Sequence, residues 1–193
     1  MTLDVWRRWL QSFDYEGPQA SLVRRSAITL KLLDHFENGA IVAAPTSSLP
    51  EALGGGGLNA SLLALPLRRV VRADHPKMIA TTEAITTRLH AGPGLLFRYR
   101  PAHSPDGLPG PEGAFLLCSF WLVDNLALQG RLDEAMALYE ALCARTSPLG
   151  LLPEQIDPGS GAFLGNYPQA FSHVGLISSG VTLARVRRQL ESR

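Results

Sequence analysis

Carboxylates set among glycine, proline and aromatic residues are the chemically most suggestive feature of this 193-residue sequence. Glu51 follows Ser-Leu-Pro, Asp106 and Glu112 stand in DGLPGPEG, and Glu154 and Asp157 stand in GLLPEQIDPGSG. Paired carboxyl groups meet the needs of glycosidic-bond hydrolysis: one protonates the leaving oxygen, and the other activates water or attacks the anomeric carbon. An acid in the first turn of a helix serves the helix dipole instead, and Asp133 and Glu134 fit that role. Glu154 fits it less well, because Pro153 and Pro158 bracket it. Tyr99 and Tyr167 fall in loop segments where a ring could stack on a sugar face, whereas Trp121 falls mid-helix and reads as core.

Other chemistries are poorly supplied. His173, in QAFSHVG, has no Gly-x-Ser-x-Gly elbow to serve and reads as a hydrogen-bonded structural histidine. His35, His75, His90 and His103 lack ligand spacing, so neither a metal nor a cofactor is expected. The run Gly54–Gly57 lacks the Lys-Ser/Thr of a phosphate loop and reads as a linker or junction. A net charge of +1 exerts no pull on nucleic acid or anionic membrane, and Arg68-Arg69-Arg72 and Arg185-Arg187-Arg188 sit where they complement helix ends. Cys118 and Cys143 lie in apolar helical patterns and read as free core thiols, which favours a reducing compartment. With no signal-peptide pattern and no long apolar run, a cytoplasmic protein is expected.

The elements that must position these residues are helices. Apolar spacing of three to four predicts helices over 20–36, 59–71, 76–89, 113–129, 132–144 and 169–190. Pro66 should kink or split the second, Pro76 should open the third, and Gly130 should stop the fourth. The segment 113–129 is apolar nearly all round and should be buried on most sides. Strand signals are thin: residues 40–44 and 95–99 could pair locally. The loops 44–57, 91–112 and 146–168 are long, and long loops on a rigid scaffold are where sites are built.

Three strings carry a resemblance. RRSAITLKLLDHFENGAIVAAPTSSLPE (24–51) resembles the opening of the catalytic domain in bacterial family 15 glycoside hydrolases, the glucoamylase and trehalase-like group. LFRYR followed by DGLPGPEGAFLLCSFWLVDNLALQGRLDEA (106–135), and GLLPEQIDPGSGAFLGNYPQAFSHVGLI (150–177), resemble that group's closing third. The resemblance implies an all-α (α/α)6 barrel around a pocket for a terminal α-glucosyl unit, cleaved with inversion by two glutamates and no metal. It implies that Glu154 is the general base, that Arg98 and Tyr99 line the pocket, and that Glu112 belongs to the substrate-binding EGAF segment.

The same resemblance implies that something is absent. LPEALGG runs directly into GGLNASLLALPL, so residues 1–193 are expected to be one incomplete catalytic-domain remnant, a partial barrel with a deletion junction at 54–57. The general acid and the sugar-clamping middle segment fall in the absent part. The expected function is an inverting α-glucosidase of glucoamylase or trehalase type, inactive or nearly so, with an α-glucoside or oligosaccharide as ligand. The alternative is a non-catalytic helical scaffold that binds a partner or saccharide, or self-associates through exposed inner helix faces.

Overall fold

The computed structural model describes residues 8, 10–11, 15–32, 58–100 and 112–192. In chain order these include α1 (Ala20–Leu32), a 3-10 turn (Ala60–Leu63) running into the short α2 (Ala64–Leu67), and α3 (Pro76–Arg88). The strands β1 (His90–Gly92), β2 (Leu95–Leu96) and β3 (Ala114–Phe115) come next, then α4 (Leu116–Leu128) and α5 (Leu132–Cys143). β4 (Gln155–Ile156), β5 (Phe163–Leu164) and α6 (Ala170–Glu191) complete the order. Helices dominate, as the periodicity predicts.

The apolar character of α4 dictates its place. Leu116, Phe120 and Val123 are wholly buried, and α5 and α6 both pack against the helix, while α1 packs on α6. A helix apolar on every side needs such neighbours, since each face left in water forfeits about 25 cal/mol per Å² of burial. Gly130 ends the helix as expected, at φ +83°. Its N–H reaches the Ala127 carbonyl (3.1 Å) and that of Arg131 reaches Leu126 (2.9 Å), a paired closure of the last turn that favours glycine at the left-handed position. Asp133 and Glu134 then stand in the first turn of α5, where Arg131 pairs with Glu134 through two nitrogens (2.8 and 2.6 Å). Tyr139 ties α5 to α6 by donating its hydroxyl to the Leu176 carbonyl (3.1 Å), and its ring meets Phe120 of α4 edge-on.

The segment 59–71, expected to be kinked or split by Pro66, is split into the 3-10 turn and α2, since Pro66 has no N–H to offer the Leu62 carbonyl. Asn59 caps the turn, its side-chain oxygen accepting from the Ser61 N–H (2.8 Å). Residues 114–115, expected to be helical, form β3 instead: Ala114 and Phe115 pair antiparallel with Ile156 and Gln155, and the helix starts only at Leu116. β4 also pairs with β5, so the long loop 146–168 is partly a small sheet. Leu95–Leu96 pairs with His90–Gly92; the partner foreseen for it, 40–44, lies outside the described residues. So do residues 33–36, Glu51, the Gly54–Gly57 junction, Asp106 and His103.

Cys118 and Cys143 are free and buried, and burial pushes both thiols up to about 12, which leaves them protonated and unreactive. No helix among the described residues is long and apolar enough to cross a membrane.

Asp124 is the exception inside α4. It is wholly buried, and among the described residues neither of its oxygens has a neighbour in hydrogen-bonding geometry. Ser179 lies close, but its hydroxyl donates to the Phe120 carbonyl (3.0 Å). Burial raises the Asp124 carboxyl to about 7, opposed only in part by the Thr182 and Ser179 hydroxyls and the Arg185 charge. Because the folded value lies above the unfolded one, near ~3.9, the associated stability is present at pH 4 and lost as pH rises through about 7. Asp124→Asn should therefore gain on the wild-type chain as pH is raised, by at least about 1 kcal/mol between pH 5 and pH 8. Denaturant titrations at both pH values check this, and a pH-independent difference would contradict it.

Candidate active site

The site begins with a grip of α6 on the chain before Glu154. The Gln169 N–H donates to the Leu152 carbonyl (2.9 Å), the Ser172 hydroxyl to the Pro153 carbonyl (2.6 Å), and the Leu152 N–H to His173 Nε2 (3.2 Å). Because Nε2 accepts, the neutral ring carries its proton on Nδ1, which donates to the Ser26 hydroxyl of α1 (2.8 Å). Burial depresses His173 to about 4, so the ring is neutral at pH 7. The structural role read for this histidine is the one it has.

Glu154 follows directly and is bonded on three sides. Its N–H donates to the Asn166 carbonyl (2.9 Å), and its carbonyl accepts from the Leu116 N–H at the start of α4 (3.2 Å). Antiparallel pairing would send the Asn166 N–H to that carbonyl; instead it goes to the Glu154 side chain, reaching Oε2 at 3.0 Å. Asn166 Nδ2 donates to the same oxygen at 2.7 Å. The carboxylate is half-buried, so its remaining capacity faces a partly wet space.

Arg98, Tyr99 and Glu112 form a second cluster. The Arg98 guanidinium lies over the Tyr99 ring (4.5 Å) and over the Phe115 ring (4.9 Å), donates to the Tyr99 hydroxyl (2.6 Å) and pairs with Glu112 (3.0 Å). The Arg98 and Glu112 side chains are 25% and 8% exposed, a shielded pair in which Coulomb attraction is stronger than at an open surface. Tyr99, expected to stand open in a loop, is only 4% exposed and lies beneath the guanidinium. Tyr167 is the more open of the two tyrosines, its ring tilted against Phe163 at 5.4 Å. β3 joins the clusters: Phe115 carries the Arg98 stack, pairs in register with Gln155, and precedes the Leu116 amide that meets Glu154.

Among the described residues, the other foreseen carboxylate, Asp157, takes no part. Asp157 is held by its own turn, accepting from the Gly159 N–H (2.9 Å) and the Ser160 hydroxyl (2.7 Å), and these bonds, the Gly159 one first, lower its pKa. Glu51 and Asp106 lie outside the described residues. Two contributors had no signal in the sequence: Asn166, and Gln155, whose side-chain oxygen accepts from the Gly113 N–H (2.7 Å). Both meet their partners only through sheet pairing. A separate cleft of about 860 Å³, lined by Tyr15, Gln19, Met136, Glu140, Val181 and Arg187 among others, holds none of Arg98, Tyr99, Glu112 and Glu154. Among the described residues no cluster of His, Cys, Asp and Glu could hold a metal ion. Chemically, the arrangement offers a carboxylate with one oxygen tied and, linked to it through β3, a guanidinium stacked on aromatic rings.

Comparison with known proteins decides the family. The model of glycosyl hydrolases family 15 matches residues 53–181. This chain belongs to that family. The trehalase of Mycolicibacterium smegmatis is 43% identical over 144 residues, covering 75% of this chain and 21% of the relative. The trehalase of Mycobacterium tuberculosis is 43% identical over 139 residues (72% and 20%), and that of Thermoplasma acidophilum 40% over 132 residues (68% and 22%). The chain thus spans about a fifth of the length of the curated relatives it matches. Two solved structures share the fold at 21% identity, each match covering 86% of this chain and 43% of the other: a wild-type glycosidase (TM-score 0.53) and a glycosidase variant in complex with glucose (TM-score 0.54). The family 15 chain described here is therefore all-α with short accessory strands, and carries part of an (α/α)6 barrel.

The His173 grip has a pH signature. Its folded pKa, about 4, lies below the usual 6.5, so the unfolded chain takes up a proton first and stability falls as pH drops from 6.5 toward 4. The stability advantage of the wild-type chain over His173→Gln should shrink across that window by about 1 kcal/mol or more. Denaturant midpoints at pH 4.5 and 7 measure it; an advantage that does not change would rule out a neutral buried ring.

Proposed function

We propose that this chain carries the general-base side of an inverting α-glucosidase site of trehalase or glucoamylase type, with turnover lost or nearly lost. Glu154 is the base that activates water, and Arg98, Tyr99 and Glu112 engage the glucosyl unit. The absent partner is the general acid, together with the middle segment whose loss the Gly54–Gly57 junction marks, the chain being one incomplete catalytic-domain remnant. One observation carries the reading: Glu154 presents a carboxylate tied through a single oxygen, at the strand that bears the Arg98 stack. The trehalase relatives and the glucose-bound glycosidase support an α-glucosyl ligand. Two free, buried thiols support a cytoplasmic location.

The chemistry follows from the parts. A carboxylate can take a proton from water attacking the anomeric carbon, but without an acid the leaving oxygen departs unprotonated. Acid or base assistance is worth roughly 10²–10⁴-fold each, and a lost sugar clamp removes orientation as well. Calorimetry should detect millimolar-range binding of trehalose or maltose that Arg98→Ala weakens. Any slow glucose release from trehalose should fall by ~10²-fold or more in Glu154→Gln. Release that survives that substitution refutes the base assignment, and a chain that gives no heat with either sugar has no such site.

A second reading, a helical scaffold that self-associates, is favoured by α6. Phe171, Val174 and Val181 are 46%, 42% and 47% exposed and lie along one helical face. Light scattering on the purified chain distinguishes the two: a monomer at ~100 µM, far above the micromolar dissociation constants of ordinary specific interfaces, excludes this reading.

A further inference from the structure

We infer that Asn166 and Gly165 form a clamp that fixes which oxygen of Glu154 works: Oε2 is the held atom and Oε1 the proton acceptor. The inference rests on Glu154 as the base and deepens it. Asn166 is a positioning residue, since it touches the base and acts through it.

Three observations converge. Both Asn166 donors, the backbone N–H at 3.0 Å and Nδ2 at 2.7 Å, reach Oε2, and among the described residues no hydrogen bond reaches Oε1. An oxygen already accepting two N–H bonds has its lone pairs engaged, so the basic lone pairs open to water are on Oε1. Gly165 lies at φ +72°, and a Cβ there would sit 2.7 Å from Oε2 and 3.0 Å from the Glu154 Cβ. Any larger residue both strains the backbone and pushes the carboxylate aside. The Glu154 N–H to Asn166 carbonyl bond (2.9 Å) closes the ring, so the amide cannot swing away without breaking the β4–β5 pairing.

Orientation of this kind matters because a general base must sit within hydrogen-bond reach of the proton it takes, with the correct lone pair aimed at it. Two N–H donors on one oxygen stop the carboxylate from rotating, which removes the alternative geometries in which Oε1 faces away from the sugar. At the base, the water oxygen bonds the anomeric carbon and gives one proton to Oε1. The glycosidic C–O bond breaks, the departing oxygen takes its proton from solvent in the absence of the acid, and the Oε2 bonds stay unchanged.

A thermal double-mutant cycle tests the clamp in the intact chain, whether or not it turns over. Asn166→Ala, which removes the Nδ2 bond and keeps the backbone one, should lower Tm by about 2–4 °C in the wild-type background and by much less in Glu154→Ala, because the lost bond then has no acceptor. Asn166→Asp should fall below Asn166→Ala at pH 8 and recover at pH 4 as the two facing carboxyls protonate, a pattern that plain loop bracing would not produce. Gly165→Ala should abolish the coupling between positions 154 and 166. An additive cycle, or an Asn166→Asp variant insensitive to pH, overturns the clamp. Where glucose release is measurable, Asn166→Ala should cut kcat about tenfold with KM within twofold, and an unchanged kcat overturns the positioning role. Glucose release that persists in Glu154→Gln instead fails the reading of Glu154 as base, and the cycle still decides the clamp by itself.

Discussion

The hold of the α6 N-terminus on Leu152 and Pro153 is the constraint on which the rest depends. Gln169, Ser172 and His173 engage the backbone of those two residues, and through Nδ1 the same imidazole reaches Ser26 of α1. The N-cap Gln169 makes no side-chain cap bond; its backbone N–H goes to the Leu152 carbonyl of that separate segment instead. The consequence is positional. Glu154 leaves this anchor with its φ/ψ path set, meets the α4 start through Leu116 and the β5 side through Asn166, and so is fixed by α1, α4 and α6 together. Each bond is worth only about 1 kcal/mol net, but removing one buried partner strands its mate at about 1–3 kcal/mol, which makes the set hard to dismantle piecemeal.

Desolvation runs through the structure in opposite senses. It pushes Asp124 toward the protonated form and His173 toward the neutral one, so the core excludes charge at two sites where α6 meets its neighbours. The two groups tilt stability in opposite directions between pH 4 and 7, and partly offset one another across that range. Arg98 and Glu112 solve the same problem differently: they keep opposite charges by pairing, and aromatic faces cover the guanidinium.

Helices were legible in the sequence because burial has a period. The apolar run that became α4, the stop at Gly130, the proline opening of α3 and the acids of α5 all follow from local rules, and the structure places them within two or three residues. What escaped was non-local. β3 takes residues from an expected helix because Ile156 and Gln155, forty residues on, offer a paired edge. Asn166 gains its meaning only when β5 folds beside β4. Tyr99 reads as an open loop residue until Arg98 and its own burial cover it. Asp124 did carry a signal, a carboxylate in an otherwise apolar helix, and the even hydrophobicity around it hid that.

The parts of an inverting site differ in how far their supports extend. A base needs one carboxylate aimed at one water, and the carboxylate proposed for that role, Glu154, is supported from near at hand: residues 152–173, Leu116 and Ser26. The opposite carboxyl must stand some 6.5–9.5 Å away across a bound sugar, so its position depends on elements from the other side of a closed ring. The supports of Glu154 all lie within this chain, whose match covers 43% of a solved glycosidase. Phe171, Val174 and Val181 leave an exposed apolar face on α6. Local hydrogen bonding is enough to orient Glu154; a distance across a closed ring needs complete helical layers.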